Sequence, residues 1–204
     1  MSRPFRFVLA AMLVLSACSQ EPARSPEPVD EAPIATGPAS PARDEPVRDD
    51  AVSRYTRFDL AACELLREDR EEGASADYRC PGLPGVPLLV QEGDGRFDLD
   101  AGIDDGGFQT IMAFNDIAET IEWRTRDGVP FAVIFRYLDR AMMDPGRTVL
   151  AVEKIGLPGQ PGCRVAQIAG DTPQANERAR ALADRRVEPF RCGADEMVFI
   201  GAAR

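Results

Sequence analysis

Four cysteines beyond residue 55, Cys63, Cys80, Cys163 and Cys192, constrain the fold of this chain more than any other feature. Whether they pair depends on the compartment, and the N-terminus bears on that. Arg3 and Arg6 precede an apolar run from Phe7 to Leu15. That run is too short to cross a ~30 Å hydrocarbon layer as a helix but suits an export signal. In an exported chain the thiols are expected to oxidise. Four cysteines allow three pairings. Cys63–Cys80 and Cys163–Cys192 are preferred, because each pair flanks one local supersecondary unit. Each closed loop would constrain the unfolded chain by about 3 kcal/mol on the chain-entropy view. A four-cysteine zinc centre is the competing use, but no CxxC spacing is present and no metal is expected.

The fifth cysteine has a different setting. Leu15-Ser16-Ala17-Cys18 resembles the bacterial lipoprotein lipobox, a branched apolar residue and two small ones before the lipidated cysteine. The resemblance implies that Cys18 carries diacylglycerol and becomes the first residue of the mature chain. Each buried methylene contributes about 0.8 kcal/mol, so several acyl chains make attachment effectively permanent. Ser19 follows the cysteine rather than Asp, which resembles the pattern of outer-membrane sorting. The expected location is the bacterial cell envelope, lipid-anchored at the outer membrane and facing the periplasm. The alternative is an ordinary secretory signal with a cysteine near its cleavage site.

Three segments follow: a signal peptide over 1–18, a tether over 19–52 and one globular domain over 53–204. The tether has no aromatic residue, frequent proline and many acids. It cannot bury enough apolar surface to offset its ordering entropy, and proline biases it toward extended chain. Folding is expected to begin near Tyr55.

The domain reads as α+β: a mostly antiparallel β-sheet with one C-terminal helix, braced by disulfides. GVPLLVQ, EGDG and RFDLDAG form a hairpin, with Phe97, Leu99 and Ala101 alternating against Asp98 and Asp100. A second hairpin turns at Asp127-Gly128 within TIEWRTRDGVPFAVIFRYL. RTVLAVEKI, CRVAQIA and EMVFIGA supply further strands. A helix capped by Asp171 or Thr172, with Pro173 in its first position, carries Ala175, Ala179, Leu182, Ala183 and Val187 at helical spacing.

Much chemistry is absent. The chain has no histidine and a single lysine, Lys154. That removes Ser-His-Asp and Cys-His catalysis and histidine metal ligands. Neither GxxxxGK[ST] nor GxGxxG occurs. The net charge of −10 argues against nucleic acid. No catalytic residue and no cofactor are expected. Glu119 and Glu122 are the candidates for a carboxylate-dependent hydrolase, but residues three apart in a strand face opposite ways. The acidic tract QEGDGRFDLDAGIDDGG matches no EF-hand register; solvated hairpin turns account for it more simply, with a weak, irregular calcium site as the alternative.

One basic-aromatic concentration stands out: Trp123, Arg124, Arg126 and Arg136, with Arg140 nearby. Alternation puts Trp123 on one face and Arg124 and Arg126 on the other. The plain reading is a core tryptophan beneath a solvated arginine face. The functional one is an anion-binding face for an envelope protein or polymer.

YTRFDLAAC, YRCPGLPGVPLLVQEGD and FNDIAETIEWRTRDGVPFAVIFR resemble a group of bacterial exported proteins that share a YRCPG motif and an EWRxRDGxPFA hairpin. The likeness runs from Tyr55 to about Cys192, with Leu83 where an aromatic often follows CPG. It implies one compact disulfide-bearing domain and no particular activity. The leading functional expectation is therefore a non-enzymatic, membrane-anchored binding module. An inhibitor of a cell-wall hydrolase, with the CPGLPG segment as its protruding loop, is the alternative.

Overall fold

The structure, a computed structural model, describes residues 50–71, 73–141 and 146–204. Cys18, the signal segment and the tether up to residue 49 lie outside the described residues. Among the described residues, no helix is long and apolar enough to cross a membrane.

The chain runs β1 (Val52–Arg57), a 3-10 turn (Leu60–Ala62), β2 (Glu64–Asp69), β3 (Ser75–Leu83), β4 (Val86–Gly93) and β5 (Arg96–Ala101). It continues through β6 (Asn115–Ile117), β7 (Thr120–Arg126), β8 (Val129–Asp139), β9 (Thr148–Lys154) and β10 (Cys163–Ala169). Helix α1 (Ala175–Arg186) and β11 (Val198–Ile200) complete it. The expected α+β class is present, antiparallel throughout except where β11 runs parallel to β10 after the α1 crossover.

Two sheets form. β1-β7-β8-β9-β10-β11 is the larger, with β6 pairing the far end of β8. β2-β3-β4-β5 is the smaller. Both expected hairpins exist, and in each the turn residues are left-handed: Asp94 at φ 53° and Gly95 at 70°, Asp127 at 51° and Gly128 at 80°. Paired positive φ values match the twist of the flanking strands, which is why Asp-Gly suits both turns.

Alternation along β8 and β9 divides the core. Val133, Phe135, Tyr137, Val149 and Ala151 face the smaller sheet and pack with Leu88, Val90 and Leu99. Ala132, Ile134, Leu150 and Val152 face α1. Ala175, Ala179 and Ala183 are the buried residues of the helix, and their small side chains let it lie close on the sheet. The result is three layers: small sheet, large sheet, helix.

The structure differs from expectation in two local places. Helix α1 starts at Ala175, behind a left-handed Gln174 and without a side-chain cap. Thr172 donates its N–H to the Ala169 carbonyl, so the chain is still turning off β10 where the cap was expected. The CPG segment is the end of β3, and the turn falls at Pro84-Gly85. Gly82 packs on the indole of Trp123, whose ring lies 3.1 Å from where a Cβ would stand. Close backbone approach explains that glycine better than loop flexibility.

Both preferred disulfides are present. Cys63–Cys80 ties the start of β2 to β3, and Cys163–Cys192 ties the start of β10 to the chain beyond α1.

Candidate functional site

The basic-aromatic group is divided by the large sheet. Trp123 is fully buried among the residues that face the small sheet, and its Nε1 donates to Thr56 Oγ1 at 2.8 Å. Arg124 and Arg126 lie on the opposite, helix-facing side, as alternation required. They are not a solvated face, however. Arg124 forks onto Asp184 of α1 through Nε at 2.8 Å and Nη2 at 2.7 Å. Arg126 Nε bonds Asp50 at 2.8 Å, while its Nη1 bonds Glu188. These two arginines hold α1 and the start of β1 against β7.

Arg136 is different. It sits on β8 facing the helix side and is half-buried. Its Nη1 donates to Thr148 Oγ1 at 2.7 Å and its Nη2 to Asn176 Oδ1 at 3.1 Å. Among the described residues it has no carboxylate within salt-bridge distance. Burial lowers its pKa from the ordinary arginine value. A guanidinium has five N–H donors, so two bonds leave it capacity for an anion.

Arg136 lines a cavity of about 270 Å³ with Tyr55, Thr120, Glu122, Asn176 and Arg180. Arg180 Nε bonds Glu122 Oε1 at 2.7 Å, and that hydrogen bond raises the Arg180 pKa. Glu122 also accepts from Ser53. With Glu122 and Arg180 neutralising each other, the pocket keeps one positive charge. Glu119 lies elsewhere: it is exposed, 3.4 Å from Arg57, and lines a different cavity. The two glutamates thus share no cleft.

A second polar cluster, between the two sheets, departs from the solvated reading of the acidic tract. Asp98 and Asp100 of β5 are 3% and 5% exposed, and Glu153 of β9 is 2% exposed. One buried arginine serves Asp98 and Glu153. Arg164 Nη2 donates to Asp98 Oδ1 at 2.9 Å and to the Tyr137 hydroxyl at 3.0 Å, and its Nε bonds Glu153. Its guanidinium also lies over the rings of Phe135 and Tyr137, 5.2 and 5.4 Å from their centroids. A β-bulge between Arg164 and Ala166 lets Val165 and Ala166 both pack toward α1 while Arg164 faces inward.

Asp100 lacks such a partner. Its one hydrogen bond among the described residues is from the Asp105 N–H, at 3.5 Å. Burial first, then the charge of Glu153, pushes its pKa up to about 9. Burial pushes Glu153 up to about 8 against the pull of Arg164, and raises Asp98 as well. Carboxylate oxygens of Asp100, Asp105 and Glu153 lie within 4.8 Å of one another, a spacing that three ligands of one cation would have.

The sequence pattern places Asp98 and Asp100 in solvated turns, which their burial corrects, and it singles out none of Glu153, Tyr137 and Arg164. A usable signal existed for Arg164, the single charge in the strand run CRVAQIA, which points to burial; Glu153, with Lys154 beside it, gives no such signal. Comparison of the chain with protein-family models, curated proteins and solved structures gives no match.

Proposed function

We propose that the chain is an envelope lipoprotein, anchored through Cys18, that acts as a non-enzymatic binding module. Its pocket between β8 and α1 accepts one anionic group, a carboxylate or phosphate, presented by an envelope protein. The observation that carries this reading is Arg136, a half-buried guanidinium without a carboxylate partner among the described residues. Removing a charge from water is costly unless it is paired, and a ligand anion would supply the missing pair. The chain's net charge of −10 repels an extended polyanion, which favours a single acidic group on a neutral or basic surface.

The test is site-specific photo-crosslinking in intact cells. The crosslinker is placed at Thr120, an exposed residue on the pocket wall. A discrete envelope protein should be captured by the wild-type pocket and lost in Arg136→Gln. Capture unchanged by Arg136→Gln would rule the pocket out.

A further inference from the structure

We propose that Asp100, Asp105 and Glu153 form a binding site for one calcium ion between the two sheets. The cluster joins three parts of the chain: Asp100 on β5, Asp105 in the loop after it, and Glu153 on β9 of the other sheet. Two oxygens bound to one ion at ~2.4 Å can be no more than ~4.8 Å apart, a limit the three carboxylates meet.

The independent observation is the condition of Asp100. It is 5% exposed, faces Glu153 and Asp105, and has no arginine or lysine partner among the described residues. Its single hydrogen bond, at 3.5 Å, comes from within the cluster. Among the described residues, four carboxyl groups, Asp98, Asp100, Asp105 and Glu153, cluster around the one guanidinium of Arg164. Arg164 is already committed to Asp98 and Glu153. A buried carboxylate needs a proton or a cation.

The donor set chooses among cations. Oxygen-only ligands suit calcium, magnesium or manganese rather than zinc or copper. Magnesium requires near-ideal octahedral geometry and is usually held by one or two carboxylates with several retained waters, whereas three carboxylates converge here. Calcium accepts irregular and bidentate carboxylate coordination. The ion would clamp the loop 102–114 to β9 and so join the small sheet to the large one. The site lies on the opposite face of the large sheet from the Arg136 pocket, and neither proposal depends on the other.

Equilibrium dialysis of the purified full-length protein against calcium chloride, in chelator-stripped buffer at physiological salt, tests this. One ion per chain is expected, with a Kd on the order of 0.1–1 mM, the range of extracellular calcium modules. Asp100→Asn should weaken binding by at least about tenfold. Asp116→Asn, a surface carboxylate paired with Arg140, should leave it unchanged. Asp105→Asn, partly exposed in its loop, is the second ligand variant should Asp100→Asn fail to fold. As a readout apart from the variants, calcium should slow proteolytic cleavage within 102–114 of the wild type, and magnesium should not. Absence of binding up to about 10 mM, an order of magnitude above the weak extracellular range, would overturn the proposal. Binding retained by both ligand variants would overturn it equally.

Discussion

Arg164 and Asp98 meet across the two sheets, Nη2 to Oδ1 at 2.9 Å, with both side chains almost fully buried. Among the described residues, Arg164 is the sole guanidinium beside the buried carboxyl groups it touches. Arg164→Met should therefore lower the unfolding free energy by about 3–5 kcal/mol, because it leaves buried carboxylates uncompensated. Arg164→Lys should recover only part of that, since an ammonium cannot reach Asp98 and Glu153 as a planar fork does. Urea denaturation at pH 7 measures both. A loss below about 1 kcal/mol for Arg164→Met would mean that the pair adds little over an apolar replacement.

The same interior sets a pH dependence in the absence of metal. Asp100, pushed up to about 9, and Glu153, pushed up to about 8, hold protons in the folded state at pH values where the unfolded chain has released them. The groups facing them are Arg164, Asp98, Asp105, Asp104 and Tyr137. The unfolded values lie near 4, so the folded state binds more protons between roughly pH 4 and 9. Stability in chelator should then fall as pH rises through that window. Asp100→Asn should flatten the curve and melt higher than wild type at pH 8. A wild-type profile that rises from pH 5 to 8 would contradict the burial of these groups.

The contrast between what the sequence discloses and what it hides follows from range. Asp94-Gly95 and Asp127-Gly128 are local signals, and the hairpins they nucleate are where expected. Cys63–Cys80 and Cys163–Cys192 are near neighbours in sequence, and their pairing followed from that. Arg164, by contrast, meets Asp98 only because a bulge in β10 and the packing of two sheets bring together residues 66 apart. No period or spacing encodes that contact. The same holds for Arg124, which looked solvated until α1, sixty residues on, brought Asp184 to it. The short edge strand β2, exposed along its whole length, carries no apolar alternation and so gave no signal.

The two disulfides should be complete in protein isolated from cells. Labelling without reductant should tag none of Cys63, Cys80, Cys163 and Cys192. Replacing Cys163 and Cys192 together with serine should cost about 3 kcal/mol, since the bridge closes a loop with a sequence separation of 29. Thermal denaturation with and without reductant measures the combined loss of both bridges in the unmodified chain. Free thiol at any of the four positions would contradict this pairing.

The anchor makes its own requirement. Intact-mass measurement of the membrane-extracted protein should show a chain beginning at Cys18 and carrying acyl mass. Cys18→Ala should release the domain from the membrane without changing its melting temperature, because Cys18 lies far along the chain from β1 at Val52. An unmodified Cys18 thiol in the membrane fraction would end the lipoprotein reading.

Arg124 and Arg136 both face the helix side of the large sheet, yet substitution should separate them. Arg124 is 6% exposed and forked onto Asp184, so Arg124→Glu places two carboxylates together under α1. The expected cost is about 3–5 kcal/mol, with hydrogen exchange speeding up across 175–186. Lost partner binding in that variant would report only a displaced helix. Arg136 bonds neutral partners, Thr148 and Asn176; losing the two bonds costs about 1–3 kcal/mol, and removing a half-buried charge without a carboxylate partner among the described residues offsets much of that. Arg136→Gln should therefore melt close to wild type while losing the anionic ligand. Equal losses of stability in the two variants would mean that Arg136 serves the fold as Arg124 does, leaving the pocket without a dedicated cation.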